Sequence, residues 1–256
     1  MSVEIALVQT SLAWEDPEAN RLHFSRLLDP ETGRADLIVL PEMFTTGFTM
    51  SPQNIPPGEE ARSLDWMRET AARTRAAVTG SLVAREGGKY YNRLFFVEPG
   101  GAYETYDKRH TFTLAGEDQV YERGRTRKLI HFRGFTICPL ICYDLRFPVW
   151  SRNTEDYDLL LYVANWPAPR IAAWDALLKA RAIENMAYVA GVNRTGTDPN
   201  AHRYPGHSAV FDALGTRLAY SEQEEVLHVT LSLEHLSETR KSLRFLQDQD
   251  RFTLES

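Results

Sequence analysis

Seven stretches of the chain are apolar almost without interruption: VEIALVQ (3–9), ADLIVLPE (35–42), AAVTGSLV (76–83), RLFFVEP (93–99), FTICPLICYD (135–144), YDLLLYVANW (157–166) and AYVAGVNR (187–194). Continuous rather than alternating hydrophobicity predicts strands covered on both faces. Between several of them the apolar spacing lengthens to three and four residues, the mark of helices. Asp16-Pro17 supplies an N-cap and a first-turn proline ahead of Leu22, Leu27 and Leu28. Leu64, Met67 and Ala71 fall on one face of a second helix, and Ile171, Trp174, Leu178 and Ala182 on one face of a third.

From residue 206 the pattern changes. GHSAVFDALGTRLAYSEQEEVLHVTLSL (206–233) reads as shorter strands joined in hairpins, with turns at Ala213-Leu214-Gly215 and around Ser221 to Glu224. Beyond it, the tail from Glu234 onward, roughly the last 20 residues, sets Leu236, Leu243, Phe245 and Leu246 among charges. It reads either as a segment packing on a partner subunit or as a terminal helix and strap on its own chain. No repeat, low-complexity tract or Pro/Gly-rich linker divides the sequence, so residues 1–256 read as one domain.

Composition narrows the class. Hydrophobic residues at 43% and charged residues at 25% are ordinary for a globular protein. With 29 Lys and Arg against 35 Asp and Glu, a net charge of −6, and only the short basic runs KRH (108–110) and RGRTRK (123–128), nucleic acid is not an expected partner. The N-terminus has no basic start or cleavage site of a secretory signal, and no apolar run nears the ~20 residues that span a bilayer. These features predict a cytoplasmic protein without membrane contact. Cys138 and Cys142 lie in one predicted strand, where four residues separate alpha carbons by about 13 Å. A disulfide needs less than ~7 Å, so both read as thiols.

Candidate chemistry lies at strand ends, where ligands gather in layered α/β folds. Glu42 closes LIVLPE, Lys108 closes AYETYDK and Cys142 closes FTICPLIC. Taken singly each has an ordinary reading, as a capping carboxylate, a solvated charge and a small core residue. Taken together they supply a nucleophile, a base to take the thiol proton, and a cation that favours thiolate and binds the oxygen of a tetrahedral intermediate. The Tyr143 backbone N–H, just after the nucleophile, offers a second donor. Of the histidines, only His202 and His207 approach the spacing of a zinc site, so metal binding is not expected. The local cysteine signature of papain-type proteases is absent.

The segments LIVLPEMFTTGF, YDKRHTF and ICYDLRFP, in this order, resemble the nitrilase or carbon-nitrogen hydrolase superfamily, and the similarity runs from IALVQ to HSAVFDALG. The resemblance implies an α/β fold, a four-layer αββα sandwich with two mixed β-sheets covered by helices, which pairs into a homodimer of eight layers. It also implies roles: Glu42 as general base, Lys108 as stabiliser of the oxyanion, Cys142 as acylated nucleophile, and a second glutamate that orients the lysine. Glu117 in LAGEDQVYERG matches that glutamate by its spacing to Gly124, with Glu122 as rival.

PEMFTTGF, KRHTFTLAGE, YVANWPAPR and LLKARAIENMAYVAGVNRTG are similar to the omega-amidase branch, the bacterial relatives of nitrilase-like protein 2. The activity implied is hydrolysis of the terminal amide of 2-oxoglutaramate or 2-oxosuccinamate to the 2-oxo dicarboxylate and ammonia, with no metal or organic cofactor. Such a small-molecule substrate carries a carboxylate, for which a guanidinium is the natural partner. Arg170 is the first candidate and Arg146 the second, though Arg146 also reads as a scaffold partner of Asp144 or a neighbouring acidic group. Trp166, Phe44 and Tyr143 are candidates for an aromatic wall. The alternatives are another small-amide hydrolase, an N-carbamoyl amidase or aliphatic amidase, and a non-catalytic nitrilase-like binding protein.

Overall fold

The computed structural model describes residues 1–254; the last two positions of the tail lie outside the described residues. In chain order the strands and helices are β1 (Ser2–Gln9), α1 (Pro17–Leu28), β2 (Leu37–Val39), α2 (Glu59–Thr74), β3 (Ala77–Glu86), β4 (Lys89–Val97), β5 (Tyr103–Asp107), β6 (Ile130–Phe132), β7 (Phe135–Ile141), α3 (Pro148–Ser151), β8 (Leu159–Ala164), α4 (Ile171–Asn185), β9 (Tyr188–Asn193), β10 (Thr195–Thr197), β11 (Arg203–Pro205), β12 (Ser208–Phe211), β13 (Arg217–Ser221), β14 (Glu225–Ser232) and α5 (Leu233–Leu243).

Two six-stranded sheets form, in the orders β14-β1-β2-β3-β4-β5 and β13-β12-β9-β8-β7-β6. Each has three parallel strands at its centre, β1-β2-β3 in one and β7-β8-β9 in the other, flanked by antiparallel neighbours. Six of the seven unbroken apolar stretches fall on these parallel strands, as burial on two faces requires, and the seventh on the antiparallel β4. One face of the first sheet meets the second across a shared core that contains Ile5, Leu37, Phe96, Ile137 and Leu160. The other face is covered by α1 and α2 through Phe24, Leu28, Met67 and Ala71 against Ala6, Ile38 and Val78. On the second sheet, α4 lays Trp174 and Leu178 over Gly191 of β9; a Cβ there would meet both side chains at 2.8 Å, so only glycine lets this helix settle. The layers are therefore helix, sheet, sheet, helix.

Asp16 caps α1 by accepting from the Ala19 N–H at 3.0 Å, an arrangement worth about 0.5–2 kcal/mol. The buried stripe of α1 is the expected one only in part, at Leu28 and the half-buried Leu27. Leu22 is 53% exposed, and the inward positions are Asn20, Phe24 and Leu28. Asn20 takes an inward position because its side chain bonds Ala13 N, Ala13 O and Thr45 O, the last of these a buried carbonyl that it satisfies.

The region after residue 206 also differs in part. The first turn joins β12 and β13 as a hairpin. The second, at Ser221 to Glu224, is no hairpin, because β14 leaves the second sheet and pairs along all eight of its residues with β1 of the first. Local turn chemistry cannot show that the chain changes sheets there. In the tail, α5 docks on its own chain: Leu236 is buried and Arg240 bonds Met186 O, Tyr157 O and the Asp158 carboxylate.

Candidate active site

Glu42, Lys108 and Cys142 follow β2, β5 and β7, so the first two rise from one sheet and the third from the other. The Lys108 ammonium lies 2.8 Å from Glu42 Oε1 and 3.0 and 2.9 Å from the two oxygens of Glu117. All three side chains are fully buried. Glu122 is instead exposed and paired with Lys89, so the second glutamate beside the lysine is Glu117. Its segment is held close because Gly124 donates its N–H to Lys108 O at 2.8 Å. A Cβ on Gly124 would lie 2.0 Å from Asp107 O, so this approach needs glycine.

Two asparagines complete the cluster. Asn92 on β4 donates to Glu42 at 2.8 Å and to Glu117 at 3.3 Å. Asn165, one residue past β8, gives its backbone N–H to Glu42 Oε2 at 2.8 Å and its side-chain amide to Glu42 O at 2.6 Å. Sequence reasoning missed both, and the available signal was an asparagine inside or at the end of an otherwise apolar strand, where that residue is disfavoured. Glu117 also accepts from the Phe112 N–H at 2.5 Å.

Electrostatics follow from this burial. Removal from water would lower the Lys108 pKa, but Glu117 and then Glu42 overcome that and hold it above its ordinary value, as an ammonium. One ammonium cannot neutralise two carboxylates. Burial, opposed by Lys108 and reinforced by Glu42, accordingly raises the Glu117 carboxyl above the usual range. For Cys142, burial and then the Glu42 carboxylate push the thiol well above its ordinary value, against the pull of Lys108. The resting group is a thiol whose Sγ donates to Asn165 O at 4.0 Å, with the Glu42 carboxylate near enough to raise its pKa.

Cys142 has φ of +44°, a left-handed conformation that costs a residue with a Cβ about 1–2 kcal/mol. The residue stays partly open to a cavity of about 320 Å³ that it lines, near the lower end for small-ligand sites, ~300–1,000 Å³. Lys108, Tyr143, Arg146, Asn165, Trp166 and Arg170 line that cavity. The Arg146 guanidinium stacks over Trp166 and that of Arg170 over Phe112, each 5.0 Å from the ring centre. Neither guanidinium is in an ion pair among the described residues. The expected alternative, an Arg146–Asp144 pair, does not form, because Asp144 is taken by Tyr106 and His110.

Phe44 does not line the cavity. It is fully buried behind the first sheet, edge-on to Phe24 at 5.4 Å and tilted against Trp66 at 5.6 Å. The left-handed Met43 turns the chain after Glu42, so Phe44 enters the helix-facing core, and the aromatic that reaches the site is Phe48, 5.0 Å from the Lys108 ammonium. No helix among the described residues is long and apolar enough to cross a membrane.

The Carbon-nitrogen hydrolase family model matches residues 4–241. Among curated proteins, the omega-amidase YafV of Yersinia enterocolitica is 48% identical over 99% of both chains. The 2-oxoglutaramate amidase of Bacillus subtilis is 32% identical over 97% of this chain and 98% of its own. Among solved structures, XC1258 from Xanthomonas campestris, a CN-hydrolase superfamily protein with an arsenic adduct in its active site, superposes with a TM-score of 0.97 at 43% identity over the whole of both chains.

Proposed function

This chain belongs to the carbon-nitrogen hydrolase family, and from that premise we propose that it is an omega-amidase, hydrolysing the terminal amide of 2-oxoglutaramate or 2-oxosuccinamate to ammonia and the 2-oxo dicarboxylate. The observation that carries the reading is the buried Glu42–Lys108–Glu117 cluster beside Cys142, facing a cavity that also holds two guanidiniums without acidic partners. The names carried by the Yersinia and Bacillus relatives support the choice of amide.

In this mechanism Glu42 takes the Sγ proton as the sulfur attacks the amide carbon. The Lys108 ammonium and the Tyr143 backbone N–H bind the oxyanion, and donors of this kind are worth several kcal/mol in a dry site. When the tetrahedral intermediate collapses, the C–N bond breaks, Glu42 returns its proton to the leaving nitrogen, and ammonia departs from a thioester. Water then enters, Glu42 takes its proton as the water oxygen bonds to the thioester carbon, the C–S bond breaks to release the dicarboxylate, and the proton goes back to the sulfur. Glu117 keeps the ammonium aimed. Arg170, with Arg146 beside it, binds the distal carboxylate, and Trp166 and Tyr143 exclude water. Metal and organic cofactors take no part in this scheme, and we propose further that the enzyme is a cytoplasmic homodimer.

Ammonia release from 2-oxoglutaramate, glutamine and an N-carbamoyl amino acid, measured for wild type and Cys142→Ala, tests the reading. Turnover of the first substrate alone, abolished in the variant, is expected; persistence in Cys142→Ala ends the mechanism, and preference for the carbamoyl compound ends the substrate assignment.

A further inference from the structure

One buried carboxylate outside the reacting cluster touches both the segment that carries Lys108 and the segment that carries Cys142. Asp144 is fully buried. Its Oδ2 accepts from the Tyr106 hydroxyl at 2.8 Å and from the Ile141 backbone N–H at 3.0 Å. Its Oδ1 accepts from the His110 backbone N–H at 2.9 Å and meets the His110 ring Nδ1 at 2.8 Å. Tyr106 and His110 stand two residues before and two after Lys108, and Ile141 directly precedes Cys142. Lys108 is thus bracketed by groups that end on these two oxygens, and the backbone N–H just before Cys142 ends on one of them.

The partners of Asp144 are themselves fixed. The Tyr106 hydroxyl accepts from the Trp150 indole at 3.0 Å and from the Arg109 N–H at 3.3 Å. The His110 ring lies flat on Phe147, with centroids 3.7 Å apart and planes within 6°. The bond from Ile141 N–H to Asp144 closes the turn over Cys142, whose left-handed backbone needs such an anchor. No comparable tie joins the two segments through Glu42 or Glu117, which reach Lys108 only at its side chain.

We propose that Asp144 is a positioning residue that sets the approach of the Lys108 ammonium to the Cys142 sulfur, with Tyr106 and His110 as its holds on the lysine segment. The proposal rests on Lys108 and Cys142 being the reacting pair described above. A carboxylate that merely braced the fold would change the melting temperature and leave the chemistry of the folded enzyme alone, so the test must read the pair itself. Alkylation of Cys142 by iodoacetamide does so without substrate, because the thiolate reacts. The charged groups facing the sulfur are Glu42 and Lys108, with Glu117 behind the lysine, and none of them is altered.

The experiment compares Asp144→Asn and Tyr106→Phe with wild type, each checked for folding by circular dichroism, in the pH profile of Cys142 alkylation and in kcat and KM for 2-oxoglutaramate. Asp144→Asn is expected to lose about 100-fold in kcat, the scale of an ångström's misplacement, with KM unchanged and the alkylation midpoint moved to higher pH as the ammonium draws away. Tyr106→Phe keeps the carboxylate and should show the same two changes to a smaller degree. Folded variants with wild-type kcat and alkylation profile overturn the proposal, whatever their melting temperatures; if Asp144→Asn does not fold, Tyr106→Phe decides alone. Should wild type not turn over 2-oxoglutaramate, a shifted alkylation profile still upholds the positioning role while the substrate assignment falls.

Discussion

Glu117 turns both carboxylate oxygens to the Lys108 ammonium, at 3.0 and 2.9 Å, from only nine residues along the chain. Removing it leaves a buried cation half compensated, which costs about 3–5 kcal/mol in comparable pairs. Glu117→Ala should therefore lose stability on that scale in urea denaturation. Glu117→Gln, which keeps one acceptor, should lose less stability but still lower kcat by 10-fold or more, roughly the value of one charge-assisted bond.

The Cys142 thiol gives a pH dependence with a definite sign. Its folded pKa is raised, first by burial and then by Glu42. A raised folded pKa contributes stability that is complete below the unfolded thiol's value of about 8.5 and is lost as pH climbs through the folded value. Relative to Cys142→Ala, wild type should become progressively less stable above that pH. Parallel denaturation curves for the two proteins at neutral and alkaline pH measure it, and a constant difference would contradict the assignment of the shift.

For the guanidiniums the discriminating quantity is KM for two substrates. Arg170→Ala should raise KM for 2-oxoglutaramate by about 10- to 100-fold, the range of a hydrogen bond to a charged group, and hardly change it for a neutral aliphatic amide of similar length. Arg146→Ala should act in the same direction. Equal effects on both amides would remove the carboxylate-binding role.

Phe44 should behave as core. Its ring is buried against Phe24 and Trp66, so Phe44→Ala should cost about 3–5 kcal/mol. Phe44→Leu should cost far less and leave KM unaltered, since no atom of this side chain reaches the cavity wall.

Much of the architecture is legible because burial on two faces writes itself into sequence as unbroken apolar runs; β1, β3, β7, β8 and β9 fall where those runs lie. The strand-end rule likewise draws attention to Glu42, Lys108 and Cys142, which the fold brings to one place. What escapes is whatever depends on a change of direction. The left-handed Met43 sends Phe44 into the helix-facing core, and the passage from β13 to β14 between sheets looks locally like a hairpin turn. Asn92 and Asn20 escape for a different reason: each serves polar groups brought from distant parts of the chain, and a propensity scale registers only their unsuitability for the element they occupy.

The divided origin of the reacting groups carries one more implication. Glu42 and Lys108 stand on one sheet, Cys142 and Asn165 on the other. A partly formed polypeptide in which either layer folds by itself holds an acid without its sulfur, or a sulfur without its acid. In the proposed mechanism hydrolysis therefore needs both layers together, and a chain with only one of them formed lacks the complete reacting set.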